Sequence, residues 1–305
     1  MNGAAVASRA LLLKIRQPSA HYRVPFAFRR RHTYPIPPFS TVIGFLCNVL
    51  GIKNQQDKRF TQLKNLYMAV YGNYESLERE YVWFRNLSAK EHKERFGSTH
   101  NRKIDGVIEH PGGQSPVKQD VLYNVELLIF LFDSSDPQAV KDDGILKRIK
   151  ESLSPESSQS RLYPLHLGRA EDLVVFEEEP RFVEIKFPEG ASGKAANLPY
   201  FAWVPQDFER VLVKPDDKTL NGIQRKYKRF FSVLPGTFHR ITTFYELKRN
   251  RRIFDFVRVK LFEKGALPLD PFGKVFPFPW VEFEKGPGVE LDKRKKLPLI
   301  LVKVG

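Results

Sequence analysis

The sequence predicts an α+β fold, in which a ferredoxin-like or RNA-recognition-type N-terminal domain is followed by a mostly β C-terminal domain. In the first part, apolar runs follow the order strand, helix, strand, strand, helix, strand. Residues 121–132, VLYNVELLIFLF, are apolar at positions of both faces, which is typical of a central strand. From about residue 199 onward, proline and glycine become more frequent and strand-like runs alternate with turns. We therefore place a boundary near Asn197, which gives domains 1–197 and 198–305.

The first unit of the chain joins a strand, a loop and a helix. Residues 9–16, RALLLKIR, read as a short strand, and a proline-rich segment then keeps the backbone extended. Ser40 or Thr41 offers a hydroxyl N-cap to the helix that follows. Apolar residues recur at helical spacing as far as Gly51, whose type fits a helix stop.

A second amphipathic helix and two strands are predicted next. The helix covers residues 56–66, and the strands are the runs LYMAVYGNY and EYVWFRNL at residues 66–74 and 80–87. The residues expected to face inward on the helix are Phe60, Leu63 and Leu66.

The apolar pattern fails between residues 85 and 118. This stretch mixes cations, acids and histidines, and it contains the turn-forming run PGGQSP. Because loops of this length in compact domains are usually functional or mobile, we expect a long excursion from the core. After the central strand, a polar helix is predicted over about residues 137–153, and Gly168 marks a tight turn.

The charge of the chain points to a polyanionic partner. It has 50 Lys and Arg against 35 Asp and Glu, a net charge of +15 and a pI near 9.7. Two segments, residues 22–34 and 221–252, supply most of the excess, so nucleic acid is the first candidate. The secondary basic patch that we assign to the second segment is Arg225, Lys226, Lys228, Arg229, Arg249, Arg251 and Arg252.

The first cationic segment, residues 22–34, is here called the arginine loop. It contains no acidic residue, and its aromatic residues alternate with its arginines. Arginine pairs with phosphate, and aromatic rings stack on bases, so the loop predicts a nucleic-acid contact. Its cations are Arg23, Arg29, Arg30 and Arg31, and its aromatic residues are Tyr22, Phe26, Phe28 and Tyr34.

The helix after the arginine loop extends this prediction. A helix N-terminus has free amide donors and a positive dipole end, which favour phosphate. Thr41, Gly44 and Asn48 fall on one small, polar stripe of the helix, which a backbone could approach closely. An ordinary amphipathic helix entered by a proline-rich loop is the simpler alternative.

Catalytic signatures are mostly missing from the sequence. It has no glycine-rich phosphate loop, HExxH or GxSxG motif, and its single cysteine, Cys47, excludes an internal disulfide and a cysteine-based zinc site. We expect no metal and no cofactor. Cleavage of RNA by the neighbouring 2′-hydroxyl needs neither, and His32, His100 and Tyr34 are the fallback residues for that proton transfer, although a binding role is favoured. Without a long apolar segment or a signal-like N-terminus, the protein is expected to be cytoplasmic and not membrane-bound.

Four motifs carry a resemblance to a known family. They are AHYR, TYPIPPFSTVIGFLCNVLG, VLYNVELLIFL and YPLHLGRAEDLV, in this order over roughly residues 9–175. In sequence and order they resemble the landmarks of the CRISPR-associated protein 5 family, which is the RAMP-superfamily subunit of type I Cascade surveillance complexes. The C-terminal third carries no such match.

The resemblance implies a fold, a function and partners. The family has an RNA-recognition-like core, a protruding β-hairpin thumb and a variable C-terminal domain, and it caps the crRNA by holding its 5′ handle. The thumb would be the excursion at residues 85–118. Expected partners are the crRNA, the backbone subunit of the CRISPR-associated protein 7 family and the large subunit that inspects target DNA. The residues expected to bind RNA are Arg23, Arg29, Arg30, Arg31, His32, Tyr34, Ser40, Thr41, Gly44, Arg102, Lys103 and Arg169.

Two alternatives remain open. One branch of the family, in type I-C systems, is a metal-independent endoribonuclease that processes pre-crRNA with a tyrosine, a lysine and a histidine. This chain has no adjacent Lys-His pair after the thumb, which favours a non-catalytic subunit as in type I-A or I-B systems. A generic single-stranded nucleic-acid-binding protein would use the same arginine and stacking chemistry without preferring a handle.

Overall fold

The fold is described from a computed structural model. The structure describes residues 8–27, 30–86, 103–104, 107–108, 113–142, 144–157, 163–188, 196–213, 220–248, 251–282 and 296–305.

The protein is a mixed α+β structure dominated by β-sheet, as predicted. The strands are β1 (Ser8–Ala20), β2 (Tyr22–Arg23), β3 (Arg30–Arg31), β4 (Thr33–Tyr34), β5 (Tyr67–Asn73), β6 (Ser76–Asn86), β7 (Lys103–Ile104), β8 (Val107–Ile108), β9 (Gly113–Phe132), β10 (Val175–Phe176), β11 (Arg181–Ile185), β12 (Asn197–Leu198), β13 (Phe201–Pro205), β14 (Thr237–Lys248), β15 (Arg251–Phe262), β16 (Gly265–Ala266), β17 (Trp280–Val281), β18 (Leu297–Pro298) and β19 (Val302–Lys303). The helices are α1 (Phe39–Val49), α2 (Lys58–Lys64), α3 (Ile145–Leu153) and α4 (Leu220–Val233), with a 3₁₀ turn at Phe208–Arg210.

The central sheet has the order β10-β1-β9-β5-β13-β15-β14, and β11 also pairs with β1. Its first four positions place the strands of the N-terminal part side by side, each antiparallel to its neighbour. As predicted, β9 is central, because β1 and β5 flank it and its apolar side chains are buried on both faces. The element order is richer than the predicted strand, helix, strand, strand, helix, strand: two helices, α1 and α2, lie between β1 and β5, and β6, β7 and β8 lie between β5 and β9, so the ferredoxin-like topology stays a prediction.

The same sheet continues into the C-terminal part. Strand β13 pairs with β5 at Phe201 and Gly72, and β19 pairs with another part of β5. A Cβ atom on Gly72 would lie 2.6 Å from the Leu127 side chain and 3.0 Å from the Glu126 carbonyl oxygen, so a glycine suits the close packing of the paired strands here. The boundary near Asn197 therefore falls within one hydrogen-bonded sheet, and the division into two domains stays a prediction.

Helix α1 packs the predicted apolar stripe into the core, but its first residue is not the one that the sequence predicts. It begins at Phe39 after Pro38, and no side chain caps it; the predicted cap at Ser40 or Thr41 is wrong. Its end is as predicted: Gly51 has a φ of 66°, and the amide of Ile52 donates to the Cys47 carbonyl at 2.9 Å.

The predicted helix at residues 137–153 begins only at Ile145. The residues before it form turns, because the carboxylates of Asp133 and Asp136 accept hydrogen bonds from backbone amides a few residues further on, those of Ser135 at 2.8 Å and Lys141 at 3.0 Å. Such local bonds compete with helical hydrogen bonds.

Helix α2 is shorter than predicted and buries the predicted side chains. Its N-cap is Asp57, whose carboxylate accepts from the Arg59 amide at 2.9 Å. The apolar residues predicted to face inward, Phe60, Leu63 and Leu66, are buried.

The predicted excursion is bounded by a long antiparallel ribbon. Strand β6 pairs with the first part of β9, from Ser76 opposite Tyr123 to Asn86 opposite Gly113. Both strands therefore extend into the segment 85–118. A short pair, β7 with β8, lies between them in sequence.

Candidate nucleic-acid interface

Short strands hold the arginine loop against the start of β9. Strand β2 pairs with β4, and β3 runs parallel to β9 with Arg30 opposite Lys118 and Arg31 opposite Gln119. The amide of Val24 also donates to the His32 carbonyl at 2.9 Å. Backbone pairing thus brings the cations of this loop next to the β6–β9 ribbon.

One buried carboxylate organises the side chains of this loop. Asp120 accepts hydrogen bonds from Arg30 Nη2 at 2.7 Å and from His32 Nδ1 at 2.9 Å, and Arg79 Nε lies 3.8 Å away. Although burial acts in the opposite direction, the hydrogen bonds from Arg30 and His32 lower the pKa of Asp120. Arg30 nevertheless keeps 35% of its side chain exposed, so part of its guanidinium is available to a ligand.

A second histidine lies beneath this cluster. His21 is buried, and its Nδ1 donates to the Asp120 carbonyl at 2.7 Å. Burial lowers the pKa of His21, so the ring is held neutral. Its Nε2 has no hydrogen-bond partner in the part of the chain that the structure describes.

Arg169 was predicted to bind RNA, but its guanidinium is used by the fold. Asp172 is fully buried and accepts from Arg169 Nη2 at 2.7 Å, from the Arg169 amide at 2.7 Å and from the His21 amide at 2.9 Å. Gly168 makes this possible, because its φ is 119° and a Cβ there would lie 2.6 Å from Asp172 Oδ2. The predicted turn at Gly168 is confirmed, and Arg169 holds it closed.

Tyr34 is a core residue instead of an exposed stacking ring. It is buried, and its hydroxyl donates to the Arg240 carbonyl at 2.9 Å. Its ring meets Trp203 edge-on, with centroids 5.6 Å apart. Burial raises the pKa of Tyr34 to about 12, which also makes it a poor proton donor or acceptor near neutral pH. Its direct RNA and catalytic roles are therefore not supported by its position.

Arg23 and Arg31 lie close enough to repel each other. Burial, and then the charge of Arg23, lower the pKa of Arg31. Arg23 itself is exposed. Two neighbouring guanidinium groups create a positive potential that a phosphate would relieve.

The sequence analysis missed two exposed aromatic residues on β6. Tyr81 and Trp83 are 60% and 59% exposed, and their ring centroids are 6.3 Å apart. Tyr81 is opposite Lys118, the residue that is also opposite Arg30. The run EYVWFRNL could have indicated them, because alternate residues of a strand share a face. The ribbon thus adds aromatic surface and a lysine to the arginine loop.

A cleft beside α1 contains the other predicted helix residues. Asn48 is buried, and its amide side chain clamps the backbone of Tyr163 and Pro164 at 2.9–3.2 Å. Thr41, Gly44 and Cys47 line a cleft of about 470 Å³. Ser40 hydrogen-bonds the Thr242 hydroxyl at the helix start, so this side chain is engaged within the fold.

The remaining predicted residues lie on other elements or outside the described residues. Lys103 is in β7. Helix α4 contains the first half of the secondary basic patch, and β15 begins with Arg251 and Arg252. The predicted residues outside the described ranges are Arg29, His100, Arg102 and Arg249.

The described residues form no cluster of three or more histidine, cysteine or acidic side chains that could hold a metal ion. Among the same residues, no helix is long and apolar enough to cross a bilayer. Chemically, the arginine loop and the β6–β9 ribbon offer guanidinium groups for phosphates and exposed rings for bases. His32, oriented by Asp120, adds a group that could move a proton.

Three solved structures are similar to this chain at low sequence identity. A chain of a CRISPR RNA-guided surveillance complex aligns over 86% of this chain and 94% of its own length, at 10% identity and a TM-score of 0.47. A CRISPR protein from Archaeoglobus fulgidus aligns over 90% and 95%, at 9% identity and a TM-score of 0.37. A chain of the type III-B Cmr-beta complex bound to cognate target RNA and AMPPnP aligns over 85% of both, at 11% identity and a TM-score of 0.36.

Sequence comparison gives the assignment. No curated protein matches the chain significantly. The model of the family described as CRISPR-associated protein (Cas_Cas5) matches residues 10–191, which is more than half of the sequence. This match confirms the resemblance of the four motifs, and the chain belongs to the CRISPR-associated protein 5 family.

Proposed function

We propose that this protein binds the 5′ handle of crRNA as a subunit of a type I Cascade complex. The observation that carries the proposal is the arginine loop, which Asp120 holds beside the exposed rings of β6 in a member of the CRISPR-associated protein 5 family. Guanidinium groups bind the handle's phosphates, and exposed rings stack on its unpaired bases. The backbone subunit of the CRISPR-associated protein 7 family and the large subunit are the proposed neighbours.

Removal of charge from the arginine loop tests the proposal. The triple variant Arg29→Gln, Arg30→Gln, Arg31→Gln should fold but fail to bind handle RNA or to assemble onto crRNA. The matched control removes three charges from exposed lysines outside both basic segments, through Lys58→Gln, Lys150→Gln and Lys274→Gln, and should bind like wild type. If the first variant still assembled, the handle site would lie elsewhere.

Handle binding differs from generic single-strand binding in its dependence on salt and sequence. Added salt weakens phosphate contacts to every RNA sequence alike, because the release of counterions on binding then contributes less. Base contacts still discriminate between RNA sequences. Labelled RNA carrying the repeat should therefore outcompete RNA with a scrambled handle at moderate salt. Equal binding of both, or equal losses in the two triple variants, would favour the generic function.

A processing endoribonuclease is the second candidate, and the pair His32–Asp120 favours it. The carboxylate accepts from Nδ1, which fixes the ring of the half-exposed histidine next to Arg30. A histidine held in this way could move the proton of a 2′-hydroxyl. Cleavage of repeat RNA in chelator that is lost in His32→Asn would support this function, and a handle-dependent shift without cleavage would support the non-catalytic subunit.

A further inference from the structure

The arginine loop also contacts the hairpin formed by β14 and β15. Phe26, which lies in this loop, is 53% exposed, and its ring centroid is 5.3 Å from that of Phe256 on β15. The Arg240 guanidinium lies 4.8 Å from the centroid of the same Phe256 ring. The Phe256 ring therefore contacts both Phe26 and Arg240, and these two side chains are exposed.

The hairpin places two arginines directly opposite each other. Arg240 of β14 is paired in register with Arg258 of β15, and both are exposed. Neither forms an ion pair with a carboxylate in the described part of the chain. Like charges that face each other across strands destabilise a hairpin, so the pair is stabilised by any anion that binds there.

Hydrogen bonds fix this hairpin relative to the arginine loop. The Tyr34 hydroxyl, at the end of the loop, donates to the Arg240 carbonyl at 2.9 Å. Ser40 hydrogen-bonds Thr242 two residues further along β14. The loop and the hairpin are therefore held in contact, and Phe26 contributes an exposed ring where they meet.

We propose that Phe26, Arg240 and Arg258 form a second contact for the RNA strand bound by the arginine loop. One unpaired base stacks on Phe26, and the two guanidinium groups bind backbone phosphate. The inference rests on the proposed function, because the occupant is a continuation of the same single strand. Arginines that have no carboxylate partner among the described residues, beside an exposed ring and next to a cationic loop, favour RNA over a protein surface.

Two variants test the contact by fluorescence anisotropy with labelled single-stranded RNA that carries the repeat handle. Phe26→Ala should weaken binding about fivefold to a hundredfold, which is the usual effect of losing one stacked base. The double variant Arg240→Gln, Arg258→Gln should make the slope of log affinity against log salt less steep by about 1.4 units, since each lost phosphate contact removes about 0.7.

Matched controls use exposed side chains on other surfaces. Phe272 is 68% exposed and lies 4.9 Å from the guanidinium of Arg229, so it repeats the pairing of ring and arginine on another surface. Phe272→Ala should leave RNA affinity unchanged. The double variant Lys58→Gln, Lys274→Gln removes as much charge as the hairpin variant from exposed lysines outside both basic segments, and it should keep the wild-type salt slope.

Abasic nucleotides identify the stacked base directly. At one position of the RNA, an abasic nucleotide should weaken binding to wild type and have no further effect on Phe26→Ala, because both changes remove the same contact. Additive losses at every position would overturn the stacking contact.

The outcomes separate this inference from the proposed function. If both hairpin variants bind RNA like wild type while the arginine-loop triple variant does not, the second contact is overturned and handle binding stands. If wild type does not prefer the handle but Phe26→Ala still weakens binding, the second contact stands and the proposed function fails. If RNA affinity is unchanged and assembly with partner subunits is lost, the hairpin is a protein interface and the inference is overturned.

Discussion

Two arginine–aspartate pairs lie on either side of His21 and differ in what they leave exposed. Asp172 binds Arg169 at 2.7 Å and accepts from the backbone amide of His21. The Asp120 carboxylate binds Arg30 at the same distance, and the backbone carbonyl of Asp120 accepts a hydrogen bond from the His21 ring. Arg169 is only 17% exposed, half the exposed fraction of Arg30. The availability of an arginine to a ligand is therefore set by how completely the fold already uses it.

The two carboxylates explain this difference. Asp172 is saturated by the side chain and amide of one arginine and by a buried backbone amide, all within a tight turn. Asp120 shares its oxygens between Arg30 and His32, which come from the arginine loop and keep exposed surface. We infer that the first pair stabilises the fold and that the second presents side chains to RNA.

The largest effect is expected at Asp172. Asp172→Asn removes the charge that compensates the mostly buried Arg169, so the free energy of unfolding should fall by about 3–5 kcal/mol. Urea unfolding followed by circular dichroism measures it. Glu171→Gln, which removes an exposed carboxylate 3.4 Å from the same arginine, should change stability by less than about 0.5 kcal/mol. If Asp172→Asn and Glu171→Gln lost equal free energies of unfolding, the buried carboxylate would be no more important to the fold than the exposed one.

The next effect separates the two arginines. Arg30→Gln should weaken binding of handle RNA about tenfold or more, because charge-assisted hydrogen bonds contribute about 1.5–3 kcal/mol. It should change the free energy of unfolding by about 1 kcal/mol or less, since Asp120 keeps its bond to His32. Arg169→Gln should show the reverse pattern. A mainly destabilised Arg30→Gln protein would mean that both pairs serve the fold.

A smaller effect is expected on the ribbon next to Asp120. Tyr81→Ala and Trp83→Ala should each weaken RNA binding about fivefold or more without changing the melting temperature, because these exposed rings are proposed to stack on bases. Leu77→Ala is the control, since Leu77 is an exposed apolar residue at an alternate position of the same strand. A loss in Leu77→Ala as large as in the other two would indicate general apolar contact instead of stacking.

The smallest effect is the pH dependence of stability. Burial lowers the pKa of His21 below its usual value of 6.5, so the unfolded chain binds a proton that the folded protein does not. This contribution is fully present above pH 6.5 and is lost as the pH falls toward the folded pKa. In His21→Asn the new amide can still donate to the Asp120 carbonyl, but it does not titrate. The unfolding free energy of this variant should therefore fall less steeply than that of wild type as the pH drops from 6.5 toward the folded pKa of His21. An unchanged slope would show that other groups cause the acid sensitivity.

Local patterns predicted much of the fold. The apolar run of β9 and the helical stripe of α1 are decided by neighbouring residues, and Gly51 and Gly168 adopt the positive φ angles that their type allows. The start of α1 was missed because Ser40 interacts with Thr242, which is about two hundred residues away in sequence. No local capping pattern contains that information.

The candidate site was predicted in composition but not in geometry. The arginine loop is evident from its charges, whereas Asp120, which orients Arg30, lies 90 residues further along the chain. Tyr34 fits the pattern of a stacking residue equally well as that of a core residue, and only packing against Trp203 decides between them. Tyr81 and Trp83 become visible as surface residues only when β6 pairs with β9.

The position of Cys47 makes the α1 cleft observable by chemical labelling without any mutation. It is the single cysteine of the chain, it lines the cleft, and burial raises its thiol pKa to about 12. At pH 8 only about one molecule in ten thousand would carry the reactive thiolate, so alkylation of the closed protein should be slow. Any ligand or partner that opens or covers this cleft should change the rate at which Cys47 is alkylated. That rate therefore reports binding at the cleft without an introduced label.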